Sequence, residues 1–276
     1  MTTPSLRPLS TGELLDRTFS LYRNRFLLFA GIVAVTHLPL VLMQLVGLVL
    51  QPSPAKPLGI SGASLLWLGL TLIVALAVTA ASQGATVIAV SNVYLGRPVT
   101  VAGALGRIRR QITPIAMTMI VVGLMAGLGF LLLIVPGVIL SLMWALAVPV
   151  AVLEERTMMD AASRSSELTQ GSRLRVLLVY CVFLLLTLIV TILFSVPLTI
   201  ATIVSQGTAT PAAVSMPMQI ANILVGFVTQ CLTTPLMTIG LSLLYYDLRV
   251  RKEAFDLELM MSTIDGQPDG AGAGSA

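Results

Sequence analysis

The residues able to do chemistry in this chain form two sets, and neither is a reaction centre. The first set is polar side chains stranded in or near apolar runs: His37, Gln44, Gln83, Asn92, Asn222 and Gln230. An imidazole in such a place could carry a proton, and amides could line a path for a solute or a lipid, since polar groups inside membrane spans are often mechanistic. The same groups could instead bond helix to helix, each contributing about 1 kcal/mol. No Asp or Glu lies in the runs to partner His37, which leaves a neutral ring bonded to a neighbouring helix, or to a carbonyl freed by Pro39, as the other reading. His37, Gln44, Gln83 and Gln230 are the candidate intramembrane polar path.

The second set is arginines just outside the runs. Ser10 and Glu13 have the spacing of a capping box, and Arg17 follows seven residues after the cap. The pattern returns from Thr100 to Arg107, with Gly103 in place of the acid, and again at Thr157, Asp160 and Arg164. Each copy precedes an apolar run. Amphipathic helices so placed lie in the membrane interface, with apolar side chains toward lipid, and hold anionic head groups through their cations. Arg17, Arg23, Arg25, Arg107, Arg109, Arg110 and Arg164 are therefore the candidate lipid head-group contacts. The mixed-charge connection from Glu154 to Arg175 reads as a salt-bridged elbow or as a docking surface for a partner or a head group.

Catalysis is not expected. Metal-dependent hydrolysis needs clustered acids and histidines, and the chain has one His. The runs also lack a nucleophile beside a base, and no metal or cofactor is expected. Cys181 and Cys231 lie inside apolar runs, where cysteine is usually a small buried hydrophobe.

Hydropathy shows the elements that must position these residues. With 276 residues, 56% hydrophobic and 10% charged, the chain reads as an all-α, multi-pass integral membrane protein. A bilayer core about 30 Å thick needs about 20 apolar residues in a helix. Six runs qualify or nearly so: 26–50, 65–90, 112–134, 138–153, 176–204 and 218–245. The fourth is the shortest, and residues 135–138 between the third and fourth predict a tight hairpin turned by Pro136 and Gly137. Gly123 and Gly127, with Ala77, Ala81 and Ala85, predict close helix packing or a dimer interface.

Of the sixteen Lys and Arg residues, all but Lys56 fall on one side of a six-span topology. The positive-inside rule then puts both termini in the cytoplasm, and the net charge of +4 serves orientation rather than nucleic-acid binding. The first run is too long for the apolar core of a cleaved signal, so the first helix is expected to stay. The expected organisation is a single membrane domain over residues 1–261, built from six transmembrane helices and three cytoplasmic-side amphipathic elbow helices. Elbow plus hairpin forms a possible threefold repeat, and a Gly- and Ala-rich disordered tail follows over 262–276.

Three stretches carry a family resemblance. They are Arg7-Pro-Leu-Ser-Thr-Gly-Glu-Leu-Leu-Asp-Arg-Thr-Phe-Ser-Leu-Tyr-Arg; Pro136-Gly-Val with Trp144, Pro149, Glu154 and Arg164-Ser-Ser-Glu-Leu-Thr-Gln-Gly171; and Tyr245-Tyr-Asp-Leu-Arg-Val-Arg-Lys-Glu-Ala-Phe-Asp-Leu-Glu258. Together they resemble the bacterial glycerophosphoryl diester phosphodiesterase membrane domain, over nearly the whole chain up to about Leu259. The resemblance implies a six-helix module of the bacterial cytoplasmic (inner) membrane without the catalytic barrel, and no hydrolase activity. The expected role is non-enzymatic: envelope or lipid organisation, or a scaffold for a protein partner or a second copy. The alternative is a transporter or permease-like subunit for a small solute or lipid. The bilayer, with its anionic lipids, is the expected partner.

Overall fold

An apolar run of this length satisfies its backbone only by bonding to itself, so each run folds as helix. The computed structural model describes residues 9–50, 62–206 and 216–253. Its element order is α1 (Thr11–Asn24), α2 (Phe26–Leu50), α3 (Gly62–Tyr94), α4 (Val101–Ile108), α5 (Ile112–Leu132), α6 (Ile134–Met143), α7 (Ala147–Leu153), α8 (Met158–Thr169), α9 (Arg173–Gln206) and α10 (Met216–Glu253). Among the described residues there is no strand. Among the described residues, six helices are long and apolar enough to cross a membrane, with α6 and α7 together forming the fourth. The tail 262–276 lies outside the described residues, as do 51–61 and 207–215, which make up most of two expected connections.

The expected bounds of α2 hold, but α3, α9 and α10 run to 33, 34 and 38 residues. At 1.5 Å per residue these helices are about 50–57 Å long, well beyond a bilayer core of about 30 Å. Hydropathy marks the apolar part of a helix and does not mark where its hydrogen bonding stops.

The hairpin differs from the expected one. α5 ends at Leu132, Leu133 alone is extended (φ −164°, ψ 153°), and α6 starts at Ile134. Pro136 and Gly137 therefore lie in the first turn of α6, where proline's missing N–H has no partner to lose. The glycine is required by close approach. A Cβ on Gly137 would come within 2.7 Å of the Phe130 nitrogen, and one on Gly129 would lie 3.0 Å from Gly137 Cα. Gly123 and Gly127 behave otherwise, because a Cβ at either meets nothing within 4 Å. They are not sites of close helix packing.

The fourth span breaks between α6 and α7, and α8 satisfies the break. Ser165 Oγ donates to Met143 O (2.8 Å) and accepts from Leu146 N (3.1 Å), while Thr169 Oγ1 donates to Met143 O (3.2 Å). The other short helices also pack inward. Leu14 of α1, Ala104 and Ile108 of α4, and Ala161 and Leu168 of α8 are buried against the bundle rather than turned toward lipid. The core lies at the end of the bundle that carries the charge, around Tyr245, Leu244, Phe183 and Leu146. Toward the other end the helices expose large side chains such as Leu66, Ile73, Leu131, Leu193 and Ile203. Exposure on that scale needs an apolar solvent.

Candidate functional site: a threonine-lined chamber

Midway along the spans, α2, α3, α5, α7, α9 and α10 line a half-open chamber of about 620 Å³. His37 reaches it from the twelfth residue of α2, which is about 16 Å along that helix from Phe26. Gln83 of α3 and Gln230 of α10 also line it, so the fold gathers three of the four residues expected to form a polar path. Gln44 does not take part; it is exposed on α2 away from the chamber.

Most of the chamber's polarity comes from threonine, which the sequence reading did not single out. Thr79, Thr118, Thr187, Thr191, Thr229, Thr233, Thr234 and Thr238 all line it. On α9 and α10 they recur every four residues, the spacing of one helix face, and that recurrence is the signal that could have found them. Several spend their proton on their own helix. Thr79 donates to Ala75 O (2.7 Å), Thr118 to Pro114 O (2.9 Å), Thr233 to Thr229 O (2.9 Å) and Thr238 to Thr234 O (3.0 Å). A hydroxyl used in this way keeps only its lone pairs for a ligand. Thr229 Oγ1 is buried without a partner.

His37 has the same character. Its Nδ1 lies 3.0 Å from Val33 O, and a carbonyl can only accept, so Nδ1 carries the proton and Nε2 is the acceptor. Gln230 Oε1 accepts from Thr234 Oγ1 (2.7 Å), which leaves its amide N–H groups as the donors. No Asp, Glu, Lys, Arg or Cys appears among the chamber's lining residues. The chamber is therefore uncharged and presents both acceptors, on the threonines and His37, and donors, on Gln83, Gln230, Trp144 and Tyr180. Asn92 and Asn222 bond to carbonyls of their own helices, Ile88 O (2.9 Å) and Met218 O (3.1 Å), rather than across helices.

The head-group candidates fall into two groups at the charged end. Arg23, Arg25, Arg107, Arg109 and Arg110 are exposed. Arg17 and Arg164 are engaged inside the protein. Arg17 lies 4.9 Å over the Tyr94 ring, and Tyr94 stacks on Tyr246 at 5.3 Å. Arg164 pairs with Glu154 and Glu167, each at 3.4 Å, and with Glu253. The capping box of α1 forms, with Ser10 N donating to Glu13 Oε2 (2.7 Å) and Glu13 N to Ser10 Oγ (3.1 Å). Thr100 caps α4 through Gly103 N, whereas Thr157 donates to Asp160 (2.5 Å) and makes no backbone cap.

A carboxylate clasp, which the sequence reading missed, closes this end. Asp247 has no exposed side-chain surface and pairs with Arg251 (3.0 Å) and Arg175 (3.1 Å). It also accepts from Leu9 N (2.7 Å), while both guanidiniums donate to Leu9 O at 2.6 Å. Tyr22 of α1 donates to Leu232 O (3.1 Å). Burial, with the Cys231 thiol nearby, pushes its phenol up to about 12, so it stays a neutral donor. Among the described residues no group of three His, Cys, Asp or Glu side chains could hold a metal ion.

An all-helical chain with six apolar helices of spanning length is a multi-pass membrane protein. No family model matches it, and neither a curated protein nor a solved structure does.

Proposed function

We propose that the chain is a non-enzymatic membrane protein that binds a small neutral solute or lipid group, able to both donate and accept hydrogen bonds, in the chamber at mid-membrane. The observation that carries this reading is the uncharged wall of hydroxyls, amides and one imidazole around about 620 Å³ of space. That volume lies within the range of roughly 300–1,000 Å³ typical of ligand sites. Hydroxyl or amide N–H groups on a ligand would meet His37 Nε2 and the threonine oxygens, whereas a full charge would find no counter-ion. The wall favours ligand binding over a purely scaffolding role. Catalysis is disfavoured because a lone imidazole has neither a nucleophile nor a carboxylate beside it there.

The setting is the bacterial cytoplasmic membrane, with the charged end and both termini inside, as the distribution of Lys and Arg supports. The exposed Arg23, Arg25, Arg107, Arg109 and Arg110 anchor that end to anionic lipids. A short helix precedes each outward span, and this order supports the threefold elbow-and-hairpin repeat. Membership of the glycerophosphoryl diester phosphodiesterase membrane domain family, as a membrane part alone, is part of the same proposal. The transporter reading draws on Pro39, Pro197 and Pro235, which lie inside three of the helices around the chamber.

Native mass spectrometry of the protein released from its own membrane tests the reading. Gly123 lines the chamber and has open space at its Cβ, so Gly123→Leu fills the chamber without a clash in the wall. The expected result is a small molecule retained by the wild type and reduced about tenfold or more in the variant, the effect of about 1.4 kcal/mol. Equal retention, or no retained molecule in either protein, contradicts the reading. Flux of the identified molecule across proteoliposomes then separates transport from static binding.

A further inference from the structure

A second, smaller pocket lies at the charged end. It has about 200 Å³ of space between the C-terminal parts of α3, α7 and α10 and the segment running from Arg97 through α4 to Gln111. Arg97, Arg107, Arg249, Gln111 and Glu155 all line it. Arg249 already bonds Glu253 and Tyr245. Arg97 and Arg107 are exposed, and among the described residues no carboxylate pairs with either. Two cations that have not been neutralised, facing one small pocket, are the usual recognition for a phosphate group.

The acidic part is equally specific. Glu155 is the one non-glycine residue with positive φ (52°) among the described residues, and it stands just after the C-cap of α7, where a left-handed residue ends the helix. Its carboxylate accepts from Gln111 Nε2 (3.1 Å), which leaves Oε1 as the acceptor of that amide. Gln111 Oε1 is buried and has no partner. A buried acceptor left open is costly until a donor reaches it.

We infer that this pocket binds a phosphate ester with a short arm carrying an N–H or O–H donor. The phosphate would sit on Arg97 and Arg107, and the arm's donor would meet Gln111 Oε1 and Glu155. The volume is below that of a drug-sized site, which suits a head group of this kind. Two sources share the chemistry: the head group of a phospholipid and a soluble phosphate ester. The inference does not depend on what fills the mid-membrane chamber. Different residues test the two readings, so they fail separately.

The test uses the full chain. In nanodiscs holding equal phosphatidylethanolamine and phosphatidylcholine, native mass spectrometry reads which lipid stays bound. In detergent, O-phosphoethanolamine and phosphocholine are titrated in parallel. Choline has no N–H, so the ethanolamine form is expected to bind about tenfold better in the arm that corresponds to the true source, the worth of one hydrogen bond to a charged group. The preference should disappear in Arg97→Gln/Arg107→Gln and shrink in Glu155→Gln. Arg156→Gln/Arg173→Gln removes equal charge outside the pocket and should keep it. Selectivity in the lipid arm alone assigns a head group, and selectivity in the soluble arm assigns an aqueous ester. Equal binding of the choline forms, no binding in either arm, or equal loss in the Arg156→Gln/Arg173→Gln control overturns the inference.

Discussion

At Asp247 one buried carboxylate ties together three segments far apart in sequence: the residue before the cap of α1, the first turn of α9 and the last turns of α10. Replacing it with Asn keeps the shape but leaves the Arg175 and Arg251 guanidiniums without a counter-charge. Breaking a buried pair in this way costs about 3 kcal/mol. Asp247→Asn is therefore expected to lower the thermal unfolding midpoint of the purified protein, and an unchanged midpoint would remove the clasp from the forces holding α1. The sequence displays Asp247 four residues before Arg251, but not the partnership with Arg175 or with Leu9, which lies 238 residues from the acid. Lys252 makes the same point. It donates to Glu167 O and Gln170 O at the end of α8, far from it in sequence. His37, Gln83 and Gln230 were legible because strongly polar side chains stand out in an apolar run. The threonines were not, since a hydroxyl bonded to its own helix is nearly silent in hydropathy.

The elements were legible wherever local chemistry decides them. The capping box of α1 forms because Ser10 and Glu13 are three residues apart, and α2 ends where its apolar run ends. Where tertiary contact decides, the sequence was mute. The gap between α6 and α7 exists because hydroxyls of α8 satisfy its backbone, and no signal near Trp144 announces a partner twenty residues on. The α5–α6 turn was placed in the right neighbourhood, but Gly137 serves contact with Phe130 rather than turn geometry. Gly137→Ala is therefore expected to cost about 1–3 kcal/mol through overpacking. Gly127→Ala, with open space at its Cβ, should be neutral or stabilising by about 0.5–1 kcal/mol. Paired unfolding measurements check the contrast, and equal effects at the two glycines would contradict the packing described for the hairpin.

Across the whole molecule, packing is uneven along the membrane normal. The helices are closest at the charged end, where tyrosines, ion pairs and three short helices fill the space, and they present bare apolar faces at the other. The chamber lies between these regimes, in the stretch where α2, α3, α5, α7, α9 and α10 still border a half-open volume but no longer fill it. The six-span class could be read from composition and charge placement. The chamber could not, since a cavity is a property of how helices are spaced rather than of any one of them. A density map of the full chain in a lipid nanodisc, at side-chain resolution, tests the central claim most directly. The chamber is predicted to hold ordered density within hydrogen-bonding distance of His37 Nε2 and the α10 threonines. A chamber closed by direct packing of α9 against α5, with His37 Nε2 bonded to protein, would contradict it.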